Sequence, residues 1–262
     1  MEYWYRYRAD LWKKVTVYAP SDSRLGYRPR RPDSEEKLAG NIRRAQRNIE
    51  GYALCNDWDW FGTFTLNSAY RDRKDLDRFR SDFMQWLRDC RKRYGRDVQA
   101  LLVPELHKAK DGWHMHGLLR GIPLSALRLF TLREKLPKYL RDKLRSGEAV
   151  YDWPAYRAAF GWVDMEPIRN RDAAARYITK YITKAEDSTA KALDLGKHLY
   201  YVTRGLIAPE RMETENAPGC IPDAFPSGLV LGSAFSYDYG EVQWYVAPPY
   251  QYSKQEKSNQ PL

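Results

Sequence analysis

The sequence predicts an α+β fold in which an antiparallel or mixed sheet carries helices packed on it. Two observations lead there. Segments rich in β-formers alternate with segments of helical apolar spacing along the first 205 residues. In the middle of that alternation, 99–105 and 113–119 read as a hairpin, because Lys-Ala-Lys-Asp-Gly between them carries the turn signal Asp111-Gly112.

The elements follow in order. Residues 12–18, Trp-Lys-Lys-Val-Thr-Val-Tyr, read as a strand. A basic, proline-rich loop comes next, with Arg28-Pro29-Arg30-Arg31-Pro32. Asp33 and Glu36 have N-cap and N3 spacing, and Leu38, Ile42, Ala45 and Ile49 repeat at helical intervals, which predicts a helix over 34–54. Phe61-Gly-Thr-Phe-Thr-Leu66 reads as a central strand. A helix over 73–95 follows from the stripe Leu76, Phe79, Phe83, Leu87 and Cys90, with most of its charges on other faces.

After the hairpin, 124–146 reads as mainly helical with a break at Pro137. Asp152 and Pro154 are expected to cap a short helix to about residue 160. Residues 161–168 read as a strand, 170–185 as a helix and 198–203 as a strand. Beyond Gly205 the chain is punctuated by Pro and Gly; 237–252 is aromatic and reads as a late strand, and the last ten residues read as a frayed polar tail. The expected division is 1–54 as an N-terminal strand and helix, 55–205 as the main domain, and 206–262 as a C-terminal extension.

Lys and Arg total 44 against 34 Asp and Glu over 262 residues, a net charge of +10 that favours a polyanionic partner. No apolar run is long enough to span a membrane, and the first ten residues hold no apolar signal core, so no membrane partner is expected. Cys55, Cys90 and Cys220 are odd in number and far apart. That argues against a disulfide framework or a zinc knuckle, and fits the reducing cytoplasm. No Walker A sequence and no long-period repeat occurs.

Two clusters carry chemistry. In Trp113-His-Met-His-Gly-Leu-Leu119, His114 and His116 are two apart, so on a strand both imidazoles point to one face. Glu105 lies near the end of the neighbouring strand; in the right register it completes a two-histidine, one-carboxylate site with open positions. A slip of one residue would turn it away, and His107, of the same parity, is the competing third ligand. Such nitrogen and oxygen donors suit Mn²⁺ or Mg²⁺. The second cluster, Arg176-Tyr-Ile-Thr-Lys-Tyr-Ile-Thr-Lys184, repeats a Tyr-x-x-Lys unit. Tyr177 and Tyr181 are one helical turn apart, as are Lys180 and Lys184, while Ala174, Ile178 and Ile182 would dock the helix. A phenol ionises near pH ~10 and is a weak nucleophile unless a nearby cation favours the phenolate.

Three motifs in this order resemble the HUH endonucleases, and among them the rolling-circle replication initiators of single-stranded-DNA phages and related plasmids. Phe61-Gly-Thr-Phe-Thr-Leu66 looks like the first motif, His114-Met115-His116 the HUH motif, and Tyr177-Ile-Thr-Lys180-Tyr181 the tyrosine motif, over roughly residues 55–205. The resemblance implies a central five-stranded antiparallel sheet with flanking helices and the two histidines on a central strand. It implies a divalent ion at His114, His116 and, less securely, Glu105, which would polarise the scissile phosphate of a single-stranded DNA origin or origin hairpin. Tyr177 and Tyr181 would be the nucleophiles, one forming a 5′-phosphotyrosine and freeing a 3′-OH primer, the other acting at termination when strands are rejoined. Lys180 and Lys184 would steady the phosphate, and Arg176, Thr63 and Thr65 are expected to touch the DNA. With no Walker A sequence, a host helicase and polymerase are expected partners in the cytoplasm of a bacterial host.

Two other readings remain open at this stage. One is a relaxase or transposase of the same chemistry, although only two histidines cluster here and the tyrosines come late. The other is a non-catalytic basic nucleic-acid-binding protein.

Overall fold

The computed structural model describes residues 1–18, 34–95, 97–107, 112–183, 198–212, 219–237 and 240–248, without the side chains of 34–36, 182, 183 and 237. The chain divides into two compact units, Met1–Arg28 with Pro209–Leu262, and Pro29–Ala208. The termini thus share one unit, and the helix after residue 33 groups with the motifs. The basic Pro-rich loop, the Asp33 cap and the Asp111 turn position lie outside the described residues.

The first unit is a five-stranded antiparallel sheet. Its strands are β1 (Glu2–Arg8), β2 (Leu11–Val17), β10 (Glu210–Met212), β11 (Val230–Tyr237) and β12 (Gly240–Val246), in the order β10-β1-β2-β12-β11. Strand β1 is absent from the sequence expectation, because three Tyr and two Arg dilute its alternation. The expected strand over 237–252 shortens to β12 and gains β11 as a partner. Trp4 and Trp12, both buried, meet Phe225 edge-on at 5.3 Å each and form this unit's core.

The second unit holds the motifs. Helix α1 (Ser34–Cys55) precedes β3 (Trp60–Thr65), α2 (Leu76–Tyr94), β4 (Gln99–Leu106) and β5 (Trp113–Arg120). A short 3₁₀ turn, β6 (Arg128–Leu129), α3 (Lys138–Arg145), β7 (Tyr151–Asp152) and α4 (Pro154–Ala159) follow. Then come β8 (Val163–Pro167), α5 (Arg171–Thr183) and β9 (Tyr201–Val202). The sheet order is β6-β7-β8-β3-β5-β4-β9, and its strand pairs are antiparallel. The α+β antiparallel class is as expected; the sheet counts seven strands rather than five because two-residue strands extend its edges.

Helix α2 starts where Asp75 accepts the N–H of Arg78 at 2.8 Å and ends at Gly95, whose left-handed φ of 64° lets its N–H reach Arg91 O. Its buried stripe is the expected one: Leu76, Phe79, Phe83, Leu87 and Cys90. These side chains pack on the sheet face built from Trp60, Phe64, Leu102, Met115, Leu119 and Met165, with the Phe64 and Phe83 rings 4.8 Å apart. The alternate residues of the same strands form the opposite face, which carries the motifs.

Two local expectations are corrected. Residues 124–137 are not helical: Leu124–Ala126 is a 3₁₀ turn, and Arg128–Leu129 pairs with Tyr151–Asp152. Phe130, Leu136, Leu140 and Val150 make a separate small core, whose burial outweighs the helical propensity of that stretch. Asp152 does not cap α4, since Trp153 occupies the N-cap with no side-chain bond. Buried Asp152 accepts from Arg157 Nε at 2.8 Å and from Arg128 instead. Pro154 does open α4, where its missing N–H costs nothing.

Candidate functional site

The strand registers bring the motifs into rows. Thr65 on β3 lies across from His114 on β5, which lies across from Glu105 on β4. One step along, Asp164 on β8, Thr63 on β3 and His116 on β5 form a parallel row. Residues directly opposite in an antiparallel pair share a face, so these side chains stand together, away from α2. They line a cleft of about 480 Å³, with Phe61, Glu166, Tyr139, Lys143, Tyr177 and Tyr181.

Both imidazoles are held at Nδ1. Thr65 Oγ1 lies 2.9 Å from His114 Nδ1, and Thr63 Oγ1 lies 3.4 Å from His116 Nδ1. Thr63 and Thr65, expected at the DNA, are thus placed as supports of the histidines. His116 Nε2 bonds Glu105 Oε2 at 2.7 Å. Glu105 pairs with His114 through the backbone, yet its side chain crosses diagonally to His116. The His107 ring stands 5.0 Å from that of His114, so the two candidate third ligands flank different histidines. Burial, with the neighbouring His116 and His107, pushes the His114 imidazole down to about 4, so at neutral pH its ring is uncharged.

The donor set suits a divalent ion in its chemistry. With Nδ1 of each ring engaged by a threonine, Nε2 is the remaining nitrogen ligand, and a carboxylate completes an N/O set. Among the described residues, no three His, Cys, Asp or Glu side chains already surround a common point. Glu105 would exchange its bond to His116 Nε2 for a place beside both rings.

Helix α5 begins where Asn170 Oδ1 accepts the Ala173 N–H at 2.9 Å, and it packs on α1, β4 and β5 through buried Ala175 and Ile178. The docking stripe therefore runs through Ala175 rather than Ala174, and the side chain of Ile182 lies outside the description. This docking lays the Tyr181 ring flat on His116, with centroids 3.7 Å apart and planes 16° from parallel. The Tyr181 hydroxyl donates to the Tyr177 hydroxyl at 2.9 Å. Phe61 supports both rings, meeting Tyr177 edge-on at 5.0 Å. Burial, then the bond to Tyr177, holds the Tyr181 phenol well above its ordinary range. Lys180 and Arg176 are exposed on the same helix, and Lys184 lies outside the described residues.

Sequence reasoning missed the other wall. Asp164 and Glu166 on β8 stand two apart, as the histidines do, and so share the cleft face. Asp164 is buried and accepts from Tyr139 Oη at 2.9 Å; burial raises its carboxyl. Lys143 Nζ binds both Glu166 oxygens, at 2.5 and 2.6 Å. The Asp-x-Glu parity was the available signal, but only the register to β3 says which face it takes.

Residues 59–186, which span β3 to the tyrosine helix, match the family model described as Replication-associated protein ORF2. This segment belongs to that family. The family comprises rolling-circle replication initiators, so DNA is the polyanion that the basic charge anticipates. All three sequence motifs fall inside the matched segment, whereas α1 and the five-stranded unit fall outside it. No curated protein and no solved structure matches the chain. No helix among the described residues is long and apolar enough to cross a membrane.

Proposed function

We propose that this protein initiates rolling-circle replication by nicking a single-stranded DNA origin with a tyrosine nucleophile, and that it rejoins strands at termination. The observation that carries the reading is the stacking of Tyr181 on His116 with its hydroxyl on that of Tyr177, which gathers both phenols and both imidazoles at one cleft.

In the nicking step a tyrosine oxygen forms a bond to the scissile phosphorus while the bond from phosphorus to the 3′-oxygen breaks. The 3′-oxygen leaves with the bonding pair and takes a proton, the phenol gives up its own, and the DNA stays joined as a 5′-phosphotyrosine. The free 3′-OH primes synthesis. Transfer back to a 3′-OH reverses the step, which needs no outside energy because the phosphodiester is conserved.

His114, His116 and Glu105 would hold Mn²⁺ or Mg²⁺. Such an ion supplies neutralisation of charge on the phosphate oxygens. Thr63 and Thr65 keep the rings oriented, and the uncharged His114 offers a lone pair without first losing a proton. Lys180, on the exposed side of α5, favours the phosphate and the phenolate electrostatically. Among the described residues no helicase segment is apparent, so strand separation is assigned to a host helicase and extension to a host polymerase.

The test is incubation of the full chain with labelled single-stranded origin DNA and Mn²⁺. A protein–DNA adduct that survives denaturant is expected, and it should vanish in the Tyr177→Phe/Tyr181→Phe double variant. Failure to form it with every origin hairpin tried would leave DNA binding without this chemistry. His114→Ala should abolish cleavage while salt-sensitive binding persists.

A further inference from the structure

We propose that the exposed face of α1 is a second DNA contact, which holds the sugar–phosphate backbone of the strand processed at the neighbouring tyrosine helix. The surface lies outside residues 59–186, so the family match does not assign it. It builds on the DNA-binding side of the proposed function and not on the nicking step.

From Lys37 to Ile49 the sequence of α1 holds four cations, Lys37, Arg43, Arg44 and Arg47, and no Asp or Glu. Ile42, Ala45, Ile49 and Ala53 are buried along one side of the helix. The four cations are exposed on the remainder, interspersed with exposed Asn41 and Asn48. Among the described residues none of the four forms an ion pair. Helix α2 shows the contrast. It interleaves Asp77, Asp82 and Asp89 with its cations, and Asp82 is clamped by Arg71 and Arg78.

An ordinary solvated helix face alternates charge signs at intervals of four, because like charges so spaced repel. Here Arg43 and Arg47 are four apart with nothing to offset them. A run of phosphates would offset them all, and the exposed asparagine amides would add hydrogen bonds to phosphate oxygens. A membrane surface fits less well. A helix that lies on lipid presents large apolar residues beside its cations, and α1 exposes none among its described side chains. Position agrees with a DNA role: α1 packs directly against α5, which exposes Arg176, Tyr177 and Lys180. A strand that leaves the tyrosines has a cationic helix beside it.

The test uses the full chain and its Arg43→Gln/Arg44→Gln/Arg47→Gln variant, with Arg78→Gln/Arg91→Gln as a control at ion-paired positions. Affinity for a long single-stranded oligonucleotide is measured across a salt series. Each phosphate contact contributes about 0.7 to the slope of log K against log salt, so losing three should make the slope shallower by about 2 and weaken binding by roughly tenfold or more at low salt. The control should leave the slope unchanged. An unchanged slope in the triple variant overturns the proposal. So does loss of binding to phosphatidylserine vesicles with an unchanged DNA slope, which would assign the face to a membrane. If the triple variant fails to fold by circular dichroism, Arg44→Gln alone is read in the same way, with an expected change of about 0.7. Adduct formation by the unsubstituted chain is recorded separately: its absence counts against nicking, while the salt slopes still decide the role of α1.

Discussion

The Tyr181 hydroxyl donates to the Tyr177 hydroxyl at 2.9 Å while the Tyr181 ring lies flat on His116. The two phenols are therefore inequivalent. Tyr177 is the acceptor of the pair, and its side is open to solvent at 47 % exposure. Tyr181 is half-buried, and its proton is held by burial and by that bond. A hydrogen bond donated to an oxygen stabilises negative charge there.

The order of attack follows under the proposed function. Tyr177 should form the first adduct, with Tyr181 steadying its phenolate. Tyr177→Phe should cut first-round adduct by at least tenfold. Tyr181→Phe should slow it only a few-fold while blocking the second transfer. Peptide mapping of the adduct by mass spectrometry reads this directly, and first-round DNA on Tyr181 would refute the order while leaving the chemistry intact.

Thr65 is expected to matter through His114. Removing its hydroxyl in Thr65→Val leaves His114 Nδ1 without its 2.9 Å partner and frees the ring to rotate. Loss of such an outer partner typically costs about 10–100-fold in metal affinity. Calorimetric titration with Mn²⁺ should show that loss, with thermal stability nearly unchanged. The longer contact of Thr63 to His116, at 3.4 Å, should make Thr63→Val milder.

Acid stability should carry the signature of His114. Its folded value is depressed to about 4 from an ordinary 6.5. Between those values the unfolded chain binds the extra proton, so this contribution is fully present above pH 6.5 and is lost as pH falls toward 4. With solvent screening of a half-buried ring, it is on the order of 1 kcal/mol. Asp164 acts in the opposite sense: its raised carboxyl favours the fold at low pH, and that contribution declines as pH rises. Thermal melts of His114→Gln against the parent between pH 4 and 7 isolate the first effect. The parent's advantage should grow with pH across that interval, and a constant difference would contradict it.

The legibility of this site depended on how far each relationship reached along the chain. The parity that puts His114 and His116 on one face needs only a strand, and the turn spacing of Tyr177 and Tyr181 needs only a helix, so both were readable. The place of Glu105 needed the hairpin register, and its diagonal reach to His116 needed side-chain geometry that no pattern encodes. Asp164 and Glu166 carried the same parity signal as the histidines, but their face is set by pairing with β3, about a hundred residues earlier. Longer range still, β2 pairs with β12 across more than two hundred residues, so the five-stranded unit that joins both chain ends had no local signature. The error over 124–137 had another cause. Leu, Arg, Glu and Lys favour a helix there, yet Phe130 and Leu136 reach the core that they share with Leu140 and Val150 only if the chain turns.

The glycine of the first motif should be a stability position more than a chemical one. Gly62 lies directly across from Gly117 on the sheet face that packs against α2. A methyl group at Gly62 would come within 2.6 Å of Phe64 Cζ and 2.8 Å of Met165 Sδ. Both atoms belong to buried side chains of the main core, so neither can withdraw into solvent. Overpacking of that kind costs about 1–3 kcal/mol. For a unit of this size Gly62→Ala should therefore lower the melting temperature by roughly 2–12 °C. The histidine, threonine and glutamate row stands on the other face of the same strands. Adduct formation well below the melting point should therefore keep its metal dependence and its tyrosine. Calorimetry with adduct assays at two temperatures separates the effects: a stable Gly62→Ala variant that has lost cleavage would place Gly62 in the chemistry instead.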